Sequence, residues 1–298
     1  MIPSPKPIKP GRQIAPVYHR RIGDIVVTAL SDGTLTRSIE MMNGVPRALG
    51  QAYFDDAFRP GVVISVNAFL IWSAGRLALV ETGSGHYLGN TTGFLLDSLQ
   101  AAGVGPAQIE TILLTHMHPD HSAGLTDMTT GKANYPNAEL VMHENEPRHW
   151  FDDAAMTSGS DREKALFFKA GREQVEPYRN RWRLFAREGE VFPGVTAVPA
   201  MGHTPGHTTY LVSSGNERLL IWGDTVHIPE VQVPRPEVTM TVDTDHAAAA
   251  ASRKRVFERV VAERLLVTGM HMHFPGFGHV ARSGSTYAYV PEVWQQTF

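Results

Sequence analysis

The stretch "LLTHMHPDHSAG", Leu113 to Gly124, carries three histidines and one aspartate between His116 and His121. It closes a short apolar run, "ETILLT", that reads as a buried strand. In an extended segment, side chains two residues apart point the same way, so His116 and His118 share a side. At Pro119 the chain must turn, which brings Asp120 and His121 round to the same few Å. Neutral imidazole and carboxylate are donors for zinc and similar divalent ions. Four such groups directly after a strand predict a metal centre.

Other segments offer matching donors. "AMGHTPGHTTY" places His203 at a strand end before a Pro-Gly turn, "LLIWGDTVH" places Asp224 after an apolar strand, and "LLVTGMHMHFPGFGH" places His271 and His273 after a third. Each lies where a strand runs out into a loop. That arrangement lets distant segments converge on one edge of a rigid scaffold.

The whole chain agrees with a folded enzyme. It has 298 residues, 42% hydrophobic and 19% charged, with a formal net charge of −3. That suits a packed globular fold and gives no basis for nucleic-acid binding by phosphate neutralisation. Cysteine is absent, so disulfides, thiolate metal sites and a cysteine nucleophile are excluded. No stretch approaches the apolar length of a membrane span. The N-terminus lacks the apolar core of a signal peptide. The expected location is cytoplasmic, or periplasmic or secreted if a leader has been removed.

Pro3, Pro5, Pro7, Pro10 and Pro16 make residues 1–20 an extended proline-rich arm. A single domain is expected over 21–298. Its first strand, "DIVVTALSDG", leads to "SDGT", read as a turn. Residues 38–60 read as a helix and loop, with Met41, Met42, Val45, Leu49, Tyr53, Phe54 and Phe58 as core or cleft wall. "TTGFLLDSLQAAGV" reads as a helix capped by Thr91 or Thr92 and ended by Gly103. Residues 144–190 form a charged, aromatic helical insertion, whose Trp150, Phe167 and Phe168 are candidates for the substrate wall. A last helix covers Asp245 to Glu263, with Val256, Val260 and Val261 as its apolar stripe. Strands come in blocks on both sides of the helices, so the class is α/β of the α+β type, with sheets layered by helices.

"HMHPDH", "GHTPGH", "GDTVH" and the late histidine resemble the ordered motifs of the metallo-β-lactamase superfamily over residues of about 77 to 279. "HMHFPGFGH" resembles the His-x-x-Phe-Pro-Gly-x-Gly-His run of the methyl parathion hydrolase branch, which groups with N-acyl homoserine lactone lactonases. The resemblance implies an αββα sandwich with a two-metal site at one edge of its sheets. One metal would take His116, His118 and His203, the second Asp120, His121 and a late histidine, with Asp224 bridging both. Spacing leaves His271 and His273 open as that last ligand; the resemblance favours His271. Glu81 in "VETG" stands where the family has an aspartate that supports the metal loops. His118 occupies a position that is glutamate in the oxygen-reducing di-iron members, so an imidazole there points to hydrolysis. His207, His273 and His279 are expected to orient ligands or hold loops. A homodimer is also implied, with the arm as a strap.

Two divalent ions, zinc first with manganese, cobalt or iron as alternatives, can share a water and lower its pKa to about 7. The hydroxide so formed attacks a carbonyl or phosphoryl centre. Asp120 and Asp224 are the candidate catalytic carboxylates. The expected partner is a small neutral ester: a lactone, an aryl ester or a dialkyl aryl phosphotriester. A glyoxalase-like thioesterase or sulfur dioxygenase, a nuclease, and a metal-binding scaffold without catalysis are the rival classes. No basic surface or nucleic-acid insertion supports the nuclease.

Overall fold

Long apolar runs such as "LALV", "TILL" and "RLLI" show no polar alternation, because each strand they form is covered on both faces. In the computed structural model, which describes residues 9–11 and 13–297, these strands build two mixed sheets of seven. The first contains β1 (Val17–Ile22), β2 (Ile25–Arg37), β3 (Val62–Ser73), β4 (Arg76–Val80), β5 (Thr111–Leu113), β6 (Glu139–His143) and β7 (Trp182–Phe185), side by side in that order. The second contains β8 (Gly189–Phe192), β9 (Val195–Pro199), β10 (Thr208–Ser214), β11 (Glu217–Ile221), β12 (Leu266–Thr268), β13 (Gly278–Ser283) and β14 (Thr286–Pro291), again in chain order. Parallel pairing is confined to β4–β5–β6–β7 and β11–β12.

Residues alternate between two cores, as the pleat requires. Ala78 and Val80, Leu113, Val141, Leu219 and Ile221 meet between the sheets with Phe69 and Tyr210. Their neighbours Leu79, Ile112 and Leu140 face outward, under the helix Leu95–Ala101 and the helical insertion. Leu220 and Val267 face the opposite way, under Phe257 and Val260 of the helix His246–Ala262. The architecture is therefore helix, sheet, sheet, helix.

Several boundaries differ from the sequence reading. Val17–Ile22 is already a strand, so the arm stops before residue 17; Pro3, Pro5 and Pro7 lie outside the described residues. Helical turns run from Asn145 to Arg181, and 182–185 is β7, an edge strand of the first sheet. The "SDGT" segment is not a turn. β2 continues through it with a bulge between Ser31 and Gly33. Gly33 has φ +127°, and a Cβ there would meet the Thr91 carbonyl oxygen. The bulge re-aims Asp32 into the molecule. Its carboxylate accepts the backbone N–H groups of Ser84, Gly93 and Leu95. It thereby supplies the start of the helix Leu95–Ala101 with the acceptor expected of Thr91 or Thr92, while Thr92 donates to the Gly85 carbonyl. In the helix His246–Ala262 the buried face is Ala249, Ser252, Arg253, Phe257 and Val260, with Asp245 as N-cap; Val256 and Val261 are only half-buried.

Candidate metal centre

All the donor-bearing loops leave the same end of the sandwich. His116, His118 and His121 follow β5, with His121 inside the short helix Pro119–Ser122. His203 lies between β9 and β10, Asp224 beyond β11, and His271 beyond β12. The two sheets are clasped there. Asn67 of β3 donates twice across the gap, its backbone N–H to the Met270 carbonyl (2.9 Å) and its side-chain amide N–H to the Met272 carbonyl (2.7 Å).

Donor atoms gather into overlapping groups in which every pair lies within 4.8 Å: His116, His118 and His203; His116, His121 and Asp224; Asp120, His121 and His271; and His203, Asp224 and His227. Asp224 is the hub. Its Oδ2 lies 3.0 Å from His227 Nε2, 3.3 Å from His121 and His203 Nε2, and 3.7 Å from His116 Nε2; its Oδ1 lies 3.3 Å from His271 Nε2. Gly223 makes this turn possible. Its φ is +56°, and a Cβ would strike His207 Nε2.

Most inward imidazoles are held from behind, which fixes the ring and leaves Nε2 facing the centre. His116 Nδ1 meets the Thr115 hydroxyl (2.9 Å), His203 Nδ1 the Asp243 carboxylate (2.7 Å), and His271 Nδ1 the Ser65 carbonyl (2.8 Å). Glu81 is fully buried, accepts the Thr115 N–H at 2.7 Å, and has its other oxygen 3.5 Å from His121 Nδ1. It has φ +67°, unusual for a side chain of this size, as it leaves β4 for the loop. His207 accepts the Asp224 N–H at 2.9 Å and pairs through Nδ1 with the Ala200 carbonyl. It therefore holds the hub residue's backbone.

His273 is elsewhere. It pairs with Glu230 at 2.6 Å and joins none of the donor groups. The structure thus does not bring it to the centre, as ligand or as support. His279 pairs with the Leu265 carbonyl in the same outer region. We expect His271→Ala to weaken metal binding by at least about 100-fold and His273→Ala to leave the metal content intact, as read by elemental analysis after gel filtration.

The buried atoms His118 Nε2, His121 Nε2, His227 Nε2, His271 Nε2 and Asp224 Oδ1 have no hydrogen-bond partner. Buried polar atoms left unpaired are costly. So many, all nitrogen or carboxylate oxygen and all converging, fit cations of the zinc type. Protonation follows the geometry. Burial, with His121 and His203 close by, holds His116 well below the imidazole range, and burial likewise lowers His118. Burial also pushes His121 and His203 down, but carboxylates reverse it. Asp224, Asp120 and Glu81 raise His121 well above its ordinary value, and Asp224 with Asp243 hold His203 up at about 9. His271 is raised in the same way by Asp224 and Asp120 against burial. Metal ligands must be neutral imidazoles, so cations have to displace these protons. At about pH 7 we expect loading to release protons, with apparent affinity rising as pH climbs toward about 9, where His203 loses its proton. Calorimetry in buffers of different ionisation enthalpy measures this; loading without proton release would contradict it.

A narrow cavity of about 60 Å³ opens onto the centre. Its apolar wall includes Ile64, Leu88, Leu166, Phe167, Ile228 and Met240, and Asp120, Asp224, His118 and His227 reach it. Of the aromatic candidates, only Phe167 lines it, with its ring 4.4 Å from that of His118. Trp150 and Phe168 are buried behind, packed on each other at 4.9 Å. The insertion spends them on the core because its helices must cover the outer face of the first sheet.

Three participating residues escaped the sequence reading. His227 stands in the quoted "GDTVH", three residues after Asp224, and that spacing was its only signal. Asp243 orients His203. Glu146 is buried and receives Met117 N–H, Trp150 Nε1–H, Thr204 hydroxyl and Gly206 N–H. Isolated acids in ordinary contexts give no pattern to find.

Residues 61–269 match the model of the metallo-beta-lactamase superfamily. The chain is similar to the solved structure of hydrolase AbOPH in the beta lactamase superfamily, with 30% identity, TM-score 0.90, and 96% of this chain and 100% of that one covered. It is also similar to AidC, a dizinc quorum-quenching lactonase solved with the product N-hexanoyl-L-homoserine. The values there are 26% identity, TM-score 0.87, and coverage of 95% and 99%. The "Probable metallo-hydrolase Rv2300c" of Mycobacterium tuberculosis is 30% identical over 198 residues, 55% of this chain and 60% of the relative. The chain spans between 38% and 60% of the length of the curated relatives it matches. With its motifs in order, its two-sheet sandwich and its donor groups at one edge, the chain belongs to the metallo-beta-lactamase superfamily.

Proposed function

We propose that this protein is a hydrolase of small esters, lactones first and aryl esters or phosphotriesters beside them, working with two divalent cations. The observation that carries the reading is Asp224, one buried carboxylate facing the Nε2 atoms of His116, His121, His203, His227 and His271. The likeness to a dizinc lactonase and to a hydrolase of the same superfamily supports it. His116, His118 and His203 would hold one cation, and Asp120, His121 and His271 the other, with Asp224 between them.

When bound, such cations acidify a coordinated water and polarise the oxygen of the scissile group. The chain's own residues do the rest. Thr115, Asp243, Ser65 and Glu81 set the imidazole orientations before substrate arrives, so little reorganisation remains at the moment of reaction. Phe167, Ile64 and Ile228 exclude water around the ester. Asp120 is the most exposed of the donor groups; from the cavity lining it would take the proton released by the attacking water and pass it to the departing oxygen. His227 meets the cavity beside Asp224 and hydrogen-bonds the same departing group.

The test combines metal analysis with a substrate panel. Protein loaded with zinc, manganese or cobalt is expected to hold two equivalents and to open N-hexanoyl-homoserine lactone, with turnover of a 4-nitrophenyl ester or of paraoxon in the same preparation. Two equivalents of metal with no turnover of any of the three would overturn the reading.

A further inference from the structure

We propose that the substrate carries a carboxylate in addition to its scissile ester, and that Arg37 and Arg162 bind it at the mouth of the cavity. This rests on the hydrolase reading and replaces the expectation of a neutral substrate. Arg37 is the last residue of β2, paired across the strands with Val62, and Val62 and Ile64 continue from it along the cavity wall. Arg162 lies on the short helix Asp161–Glu163 of the opposite wall, one turn before Leu166 and Phe167. Two guanidinium groups from separate elements therefore line one narrow, mostly apolar opening.

Among the described residues neither makes a contact ion pair, with no carboxylate within 4 Å, whereas Arg59 finds Glu230 and Arg172 finds Asp153. Asp120 lies farther from Arg37, and Glu163 farther from Arg162, at electrostatic range only. The one hydrogen bond of Arg37 is a long one, 3.4 Å, to the Thr36 carbonyl. Arg37 is half-buried. Burial and the neighbouring Arg162 both work against its charge, and Asp120 alone favours it. Asp120 belongs to a donor group of the metal centre, so in the loaded protein its charge is already engaged. An uncompensated, partly desolvated guanidinium is unfavourable unless an anion completes it. A carboxylate matches the planar fork of arginine in a way an ammonium group could not exploit. An apolar wall between the arginines and the centre then fits a short hydrocarbon spacer between carboxylate and ester.

The test uses metal-loaded protein and two lactones of similar size, N-succinyl-homoserine lactone, which is anionic, and N-pentanoyl-homoserine lactone, which is neutral. We expect kcat/KM to favour the anionic lactone by roughly 10–100-fold, with the preference falling as ionic strength rises. The ratio should collapse toward one in Arg37→Met, fall in Arg162→Gln, and recover in part in Arg37→Lys. Because the ratio is taken within each variant, a loss of folded protein cancels. Equal turnover of both lactones, or a preference untouched in Arg37→Met, overturns the proposal while leaving the hydrolase reading intact. Turnover of neither, with the 4-nitrophenyl ester and paraoxon also left intact, overturns that reading instead. Calorimetric binding of the two corresponding lactams then decides the arginine site alone: tighter binding of the anionic lactam, lost in Arg37→Met, supports it, and equal binding refutes it.

Discussion

Asp224→Ala is expected to leave the protein folded, to lose tight metal binding at both donor groups, and to lower kcat/KM by roughly 10³-fold, the equivalent of about 4 kcal/mol of transition-state stabilisation. The size follows from position. No other carboxylate approaches imidazoles of both groups so closely, with Oδ2 toward His116, His121 and His203 and Oδ1 toward His271. Its surroundings hold it ionised. Burial works against the charge, but His121, His271, His227 and His116 depress its carboxyl well below the usual range. Removing it takes the negative charge from the centre of the imidazole cluster. The fold survives because the surrounding rings keep their outer partners, His203 on Asp243 and His271 on the Ser65 carbonyl. Asp224→Asn separates charge from shape. It preserves volume, and if charge is what matters it should lose metal nearly as completely. Elemental analysis after gel filtration, circular dichroism and steady-state kinetics read these outcomes. Full metal content with wild-type turnover in Asp224→Ala would remove Asp224 from the centre.

How far the sequence could be read divides along physical lines. The strands and their two-sided burial were legible because unbroken apolar runs such as "LALV" and "TILL" have few other ways to be satisfied. The donor residues were legible because metal ligands need rare side chains at strand ends, and His116, His118, His121, His203, Asp224 and His271 all obey that spacing. Residues whose role depends on reach were not. Asp32 looked like part of a turn because "SDGT" is turn-rich, whereas a bulge inside a continuous strand sends its carboxylate to Ser84, Gly93 and Leu95. Trp150 and Phe168 are apolar and aromatic whether they face a substrate or a sheet, so only packing could separate them from Phe167. His271 and His273 share one local motif, which spacing leaves open; His271 joins Asp120 and His121 while His273 turns away to Glu230. Arg37 had no distinguishing context at all; its proposed role comes from lining the cavity beside Arg162 with no carboxylate within 4 Å among the described residues.

Glu146 is the extreme case of a role set by reach, and its replacement should be strongly destabilising. The side chain rises from the first turn of the helix Asn145–Trp150 and is wholly buried. One oxygen accepts the Met117 N–H and the Trp150 indole N–H, both at 2.8 Å; the other accepts the Thr204 hydroxyl at 2.5 Å and the Gly206 N–H at 2.9 Å. Met117 sits between His116 and His118, and Thr204 follows His203. A single carboxylate thus fixes the two loops that form the first donor group. In Glu146→Ala the Met117 and Gly206 N–H groups are left buried without an acceptor, at about 1–3 kcal/mol each, so a loss of about 4 kcal/mol is expected once the indole and hydroxyl are counted. Glu146→Gln keeps the shape and some acceptors but sets an NH₂ against existing donors, and should lose about 2 kcal/mol. Metal binding partly substitutes for the missing carboxylate, because a cation held by His116, His118 and His203 also ties those loops together. Loading should therefore raise the unfolding midpoint of Glu146→Ala, although its affinity falls roughly 10–100-fold as the ligands lose their positioning. Denaturant unfolding with and without metal checks both statements. A loss below about 1 kcal/mol together with unchanged affinity would show that the loops hold their shape without Glu146.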